Sequence, residues 1–179
     1  MRVITGSARG RRLETLDGLD VRPTTEKVKE AIFSSIQFEI EGSNVLDLFA
    51  GSGQLGIEAL SRGANKCWFV DSSASSVAIV KRNLETVGFK EVSSVSLSDY
   101  KTFLSIVNAK FDIVFIDPPY KMDVIEEILT LLDGKVNDGV KILYEHGLEK
   151  ELPERVGNFV LKKNYKYSKT VVTLSVLEG

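Results

Sequence analysis

The chain has one cysteine, one tryptophan, one histidine and four prolines in 179 residues. With Cys67 alone, no intrachain disulfide can form, and with His146 as the one histidine a zinc site built from Cys and His is excluded. A single thiol also points to a reducing, cytoplasmic setting. There is no long apolar run, so no membrane span is expected. There is no signal peptide either, because Met1-Arg2-Val3-Ile4 leads straight into Gly and Arg. Linkers, repeats and low-complexity tracts are missing too, and the length suits one domain able to bury a real core.

Charge of one sign is not in excess: 23 Lys and Arg stand against 25 Asp and Glu, for a net charge of −2. The distribution is uneven. Residues 1–12 carry Arg2, Arg9, Arg11 and Arg12 and no acid. Residues 155–179 carry Arg155, Lys162, Lys163, Lys166 and Lys169 against Glu178 alone. Two basic ends flank an acidic body, which fits termini that meet a polyanion, although solvated charged ends would read the same way. The expected division is a small basic extension over residues 1–22 and one domain over 23–179.

The most informative stretch is Asp117-Pro118-Pro119-Tyr120. It follows Phe111, Ile113, Val114, Phe115 and Ile116, interrupted only by Asp112. A short apolar run ended by two prolines reads as a buried strand that stops abruptly. In an open parallel sheet, ligands sit beyond the carboxyl ends of the strands. The turn therefore offers a crevice a carboxylate, carbonyl acceptors freed by the missing proline N–H groups, and an aromatic face. That set suits a planar base with an exocyclic amine, held by Asp117 and the Pro118 carbonyl and stacked on Tyr120. An ordinary strand end with a proline-rich turn is the plainer alternative.

In chain order, residues 1–22 suggest a small β-hairpin or loose extension, with Gly6 to Arg12 suited to a phosphate backbone. Arg22-Pro23-Thr24-Thr25 looks like a helix entry, and Val28, Ala31, Ile32 and Ile36 share one face of the helix that follows. Strands are expected at Val45 to Leu48, Cys67 to Val70, Val92 to Leu97, Phe111 to Ile116 and Val140 to Glu145. Helices lie between them, including one from about Ala74 to Val87 closed by Gly88. Phe159 to Tyr165 and Thr170 to Leu177 read as an antiparallel pair. The expected fold is α/β: a doubly wound, mostly parallel seven-stranded sheet with an antiparallel C-terminal strand and a small N-terminal hairpin.

Phe49-Ala50-Gly51-Ser52-Gly53 lies between a strand and a helix, and Gly51-x-Gly53-x-x-Gly56 matches the dinucleotide fingerprint. Asp71, 20 residues past Gly51, stands where an acid binds ribose hydroxyls. A nicotinamide dehydrogenase is therefore one reading. Against it, Asp47 would repel a pyrophosphate but favour the sulfonium and ammonium of S-adenosylmethionine. Asp99 suits an adenine amino group, and hydride transfer has no use for Asp117 to Tyr120. His146 is read as a structural residue near the end of the fifth strand.

Val45 to Gly53 (V-L-D-L-F-A-G-S-G) and Asp117 to Tyr120 resemble the two signature motifs of class I methyltransferases acting on exocyclic amines. With Met1-Arg-Val-Ile-Thr-Gly, Arg9-Gly-Arg-Arg-Leu13 and Arg22-Pro-Thr-Thr-Glu-Lys-Val-Lys-Glu-Ala-Ile-Phe33, the chain resembles the RsmD family of bacterial 16S ribosomal RNA guanine-N2 methyltransferases. The family commonly has a glycine in its last turn, where this chain has Tyr167-Ser168-Lys169-Thr170. The resemblance implies S-adenosylmethionine as cofactor, 16S ribosomal RNA in a small-subunit or assembly intermediate as partner, no membrane, and a monomer. It places Asp47, Phe49, Gly51, Gly53, Asp71 and Asp99 around the cofactor, with Arg22 and Thr24 near the methionine end. It gives the chemistry to Asp117, Pro118, Pro119 and Tyr120, and needs no metal. Charge adds Arg9, Arg11, Arg12, Lys162 and Lys163 as RNA contacts. The motif alone does not separate guanine N2 from adenine N6 or cytosine N4. A non-catalytic RNA-binding assembly factor that kept the fold is the rival of another class.

Overall fold

The computed structural model describes residues 1–16, 25–119, 121–167 and 169–178. One sheet runs through it in the order β3-β2-β1-β4-β5-β8-β7-β6. Strands β1 (Asn44–Leu48), β2 (Lys66–Asp71), β3 (Ser93–Leu97), β4 (Phe111–Ile116) and β5 (Val136–Gly147) are parallel. β6 (Arg155–Val156), β7 (Phe159–Tyr167) and β8 (Thr170–Leu177) add an antiparallel edge. The two-residue β6 takes the sheet to eight strands, one beyond the seven read from the sequence, where a two-residue edge strand leaves no periodic signal. β5 also begins four residues before the expected Val140, with a register shift opposite Phe111 to Ile113.

Helices α1 (Glu26–Ser35), α2 (Gln54–Ser61) and α3 (Ala74–Val87) cover one face; α4 (Tyr100–Ile106) and α5 (Ile125–Leu132) cover the other. Because both faces are covered, β4 is apolar throughout except at Asp112, and that residue is used: it accepts from the Asn44 amide and the Asn137 carboxamide, both at 2.8 Å. α1 starts where Thr25 accepts from the Val28 amide at 3.3 Å, and it buries Val28, Ile32 and Phe33. Phe33 packs on Phe115 with ring centroids 5.5 Å apart. α3 is bounded by the Ser73 cap and by Gly88 at φ 80°. Among the described residues, no helix is long and apolar enough to cross a membrane.

The N-terminal residues join the core. Arg2 and Arg12 form an isolated antiparallel bridge, while Val3, Ala8 and Leu13 are buried against α1–α3. Gly6, at φ +89°, lies so close to α2 that a Cβ would come 1.8 Å from the Ser61 carbonyl oxygen. The expected boundary at residues 22–23 falls outside the described residues.

From β1 the chain steps outward through β2 and β3, then returns to β4 on the other side of β1. The order reverses between β1 and β4, and a crevice opens beyond their carboxyl ends, as such sheets require.

Candidate active site

A cavity of about 470 Å³ fills that crevice. Its wall includes Asp47, Phe49, Gly51, Asp71, Asp99, Asp117, Pro118 and Pro119, which brings together the sequence-predicted groups of three strand ends and the turn after β4. The Asp117 amide approaches the Leu48 carbonyl at 3.5 Å, joining the end of β4 to the end of β1. Gly53 belongs to the same turn as Gly51 but faces Val80 and Phe69.

The turn after β1 is tightly wound. The Phe49 and Ala50 amides both donate to the Val70 carbonyl, at 3.0 and 2.9 Å, and the Gly53 amide donates to Ala50 at 2.7 Å. Phe49 is the one non-glycine residue at positive φ among those described, at 70°. A left-handed aromatic residue is a strained choice that the surroundings must enforce. Here it sets the ring 5.6 Å from that of Tyr100 on the cavity wall. The fingerprint glycines serve different needs. Gly51 (φ +56°) and Gly53 (φ +79°) supply the left-handed turn. At Gly56 a Cβ would stand 2.3 Å from Phe69 Cε1 and 2.6 Å from Cys67 Sγ. The clearance over the backbone expected for the cofactor therefore does not explain Gly56, which lets α2 lie on β2.

The acids differ in how they are held. Asp47 is 2% exposed and accepts from the Gly56 amide at 2.9 Å. Burial raises its carboxyl pKa to about 7, the Gly56 bond opposes this, and the Asp71 charge adds to it. Asp71 accepts from the Gly51 and Ser73 amides, both at 2.9 Å, and so ties the glycine turn to the start of α3. Asp99 is exposed and caps α4, accepting from the Thr102 amide at 2.9 Å and its hydroxyl at 2.7 Å. These two bonds, the amide first, hold its carboxyl below the usual range. Asp71 and Asp99, read from the sequence as ligand groups, are thus also structural acceptors.

Asp117 is half-buried, Pro118 buried and Pro119 exposed, and the Met122 amide donates to the Pro119 carbonyl at 2.8 Å to close the turn. Tyr120, Arg22 and Thr24 lie outside the described residues.

The two basic ends part company. Arg9, Arg11 and Arg12 are exposed and make no ion pair with a described residue. Arg2 pairs with Glu26 at 3.1 Å. At the other end the one acid of residues 155–179 is paired. Glu178 folds back along β7 and pairs with Lys162, and with Arg155 at 3.6 Å. Lys163 lies over the Tyr165 ring at 4.9 Å. Lys162 and Lys163 stand within β7, with Lys163 opposite Leu174. His146 is buried, with Nδ1 2.9 Å from the Gly147 carbonyl and Nε2 2.8 Å from the Thr173 hydroxyl.

Sequence reasoning missed Glu58. This wholly buried carboxylate accepts from the Ile4 amide at 2.8 Å and the Thr5 amide at 2.9 Å, and it pairs with Lys29 at 3.6 Å and Arg62 at 3.0 Å. Asn83, also buried, accepts from the Glu14 amide at 2.7 Å and donates to the Ser52 carbonyl at 2.9 Å. These two anchors hold the N-terminal segment against the site, where Met1, Thr15 and Leu16 form part of the cavity wall. The one charged residue of α2 was the available signal. Gln54, at the start of α2, was missed as well; it is 8% exposed and its Oε1 has no hydrogen-bond partner.

The family model described as "Conserved hypothetical protein 95" matches residues 1–176. Bacillus subtilis YlbH, whose name marks it provisionally as an rRNA methyltransferase, is 42% identical over 184 residues, covering 100% of both chains. Ribosomal RNA small subunit methyltransferase D of Escherichia coli K12 is 34% identical over 165 residues, 91% of this chain and 83% of that one. The solved structure of Escherichia coli yhhF, described provisionally as a methyltransferase, superposes with a TM-score of 0.89 at 33% identity, covering 99% of this chain and 98% of that chain.

Proposed function

The chain belongs to the family described as Conserved hypothetical protein 95, the RsmD-type ribosomal RNA methyltransferases, and on that premise we propose that it methylates the exocyclic N2 of a guanine in 16S ribosomal RNA. Its methyl donor is S-adenosylmethionine, and the reaction is methylation of ribosomal RNA. Guanine N2 as the acceptor, and a small-subunit particle or assembly intermediate as the form presented, are part of this proposal.

The observation that carries it is the shared cavity: the Asp117-Pro118-Pro119 turn and the glycine turn face one space, joined through the Asp117 amide and Leu48. The residues present fit the donor. Asp47 and Asp71 suit a cation and would repel a pyrophosphate, and Gln54 offers a buried polar atom that no described residue satisfies. When bound, S-adenosylmethionine supplies an electrophilic methyl group on a sulfonium. Asp47, Phe49, Gly51, Gly53, Asp71 and Asp99 would hold it, with Arg22 and Thr24 near its methionine end.

The chain's own part is positioning. An exocyclic amine is a weak nucleophile because its lone pair is delocalised into the ring. The Asp117 carboxylate and the Pro118 carbonyl accept its two N–H groups and fix the direction of the lone pair, while Tyr120 offers a face for a base turned out of its stack. Orientation of this kind accounts for several kcal/mol of barrier, on the order of 7 in favourable cases. The amine's proton passes to Asp117 or to water. Arg9, Arg11 and Arg12 contact phosphates, with Lys162 and Lys163 as secondary candidates.

The test is transfer from labelled S-adenosylmethionine to 16S RNA from cells lacking the protein, naked and assembled, followed by nucleoside analysis. Label in N2-methylguanosine is expected, and Asp117→Ala should abolish turnover with donor affinity nearly unchanged. Label in N6-methyladenosine or N4-methylcytidine alone would overturn the choice of guanine. Wild-type protein that binds ribosomal particles yet transfers no methyl group is an assembly factor.

A further inference from the structure

Among the described residues, the side-chain carbonyl of Gln54 has no hydrogen-bond partner. It opens α2, whose cap Gly53 is left-handed and provides no side-chain hydrogen bond. Among the described residues, the Gln54 and Leu55 amides meet no acceptor; the next amide, of Gly56, is taken by Asp47. The side chain lies in the cavity wall, 8% exposed, and its Oε1 is the one buried side-chain N or O atom among the described residues with no hydrogen-bond partner. A buried carbonyl of this kind costs free energy until a donor reaches it. Asp47, also buried in this wall, accepts from the Gly56 amide.

A carboxamide presents an acceptor and a donor side by side. Their complement is an ammonium and a carboxylate on one carbon. The surroundings sort the two charges: the open amides at the start of α2 favour an anion, and the Asp47 carboxylate on the same wall favours a cation. We propose that Gln54 reads the α-amino-acid end of the methyl donor, with Oε1 accepting from the ammonium and Nε2 donating to the carboxylate, and so selects donors that carry that end. The inference rests on the S-adenosylmethionine reading above and adds to it a residue that sets ligand discrimination.

Calorimetry with two ligands tests it: S-adenosylhomocysteine, which has the amino-acid end, and 5′-methylthioadenosine, which lacks it. Gln54→Leu should weaken S-adenosylhomocysteine roughly tenfold to a hundredfold, the range for hydrogen bonds to charged groups, and leave 5′-methylthioadenosine unchanged. Gln54→Glu, which keeps the acceptor but sets a charge against the carboxylate, should weaken S-adenosylhomocysteine at least as much, again sparing 5′-methylthioadenosine. Retained 5′-methylthioadenosine binding also shows that each variant is folded. Equal weakening of both ligands, or no weakening of either, overturns the assignment. Wild-type protein that binds neither compound overturns the cofactor reading and this inference with it, a result distinct from tight wild-type binding that Gln54→Leu leaves unmoved.

Discussion

Glu58 and Asp47 are buried carboxylates on neighbouring elements, α2 and β1, and they are treated oppositely. Glu58, wholly buried, has two backbone amides, a lysine and an arginine around it. Burial pushes the Lys29 ammonium down, and Glu58 pulls it back. Among the described residues Asp47 has one amide, no cation, and a second acid nearby, so burial raises its carboxyl to about 7. Number of partners is what separates the two. A buried acid with a complete set of donors is a structural clasp, here holding residues 4–5 to the domain. One with too few, on a cavity wall, is arranged for a group that arrives with a ligand.

The largest effect should come from breaking the clasp. Glu58→Ala leaves the Lys29 ammonium buried without its carboxylate and frees two amides, a loss of about 3–5 kcal/mol. Urea unfolding measures it; a loss below about 1 kcal/mol would show that the extension is held by its apolar contacts instead. Asp47→Asn should act in the opposite sense on stability and strongly on binding. The native carboxyl titrates at about 7 against 3.8 for an ordinary aspartate, so the native state binds more protons in that interval. Its contribution is fully present below 3.8 and is lost as pH rises through about 7. The variant should therefore be more stable than wild type by about 1–3 kcal/mol at pH 8, with the gap closing toward pH 4. Its affinity for S-adenosylmethionine should fall about tenfold to a hundredfold. Parallel stability curves across this range would sink the account of Asp47.

How much of this was legible in the sequence follows from the distance between partners. α3 runs from Ala74 to Val87 as read, because both its stops are neighbours in the chain, Ser73 and Gly88. β4 and its Asp117-Pro118-Pro119 end were legible because an apolar run and two prolines are local signals. The clasp was not: Glu58 meets Ile4, Thr5 and Lys29, and a single acid in an apolar helix does not name partners so far along the chain. Nor did the run of lysines near the C-terminus reveal that Glu178 turns back onto Lys162, since that requires the β7–β8 pairing. Gln54 looked like any polar residue at a helix start until its burial was known.

The glycines of the fingerprint sharpen the contrast between structural and ligand-directed positions. At Gly56 an added Cβ meets the Phe69 ring and Cys67 sulfur at 2.3 and 2.6 Å, so Gly56→Ala should cost about 1–3 kcal/mol of stability. At Gly51 the Cβ meets nothing within 4 Å, and the cost is the left-handed φ of +56°, about 1–2 kcal/mol. Gly51 lines the cavity, so its alanine variant should lose donor affinity out of proportion to stability, and Gly56→Ala the reverse. Thermal unfolding and calorimetry on both proteins separate them; matching ratios would remove the distinction.

The smallest expected effect tests the comparison from outside. Glu178, like Glu58, bridges one lysine and one arginine, Lys162 and Arg155. It does so in water, with all three side chains about half exposed. The hydrogen bond from Lys162 holds its carboxyl below the usual range, so whatever the pair contributes is present above pH 4.5 and is lost as pH falls through the lowered value. Exposed pairs give up to solvent and side-chain entropy most of what they gain. Glu178→Gln should therefore move the unfolding midpoint by no more than about 2 °C at pH 7, and less in high salt. Because the substitution releases Lys162, RNA binding would show a steeper salt dependence, by a slope of about 0.7–0.9, if that lysine meets a phosphate. A midpoint drop as large as that of Glu58→Ala would mean that charge pairing itself, and not burial with a full set of donors, makes the N-terminal clasp strong.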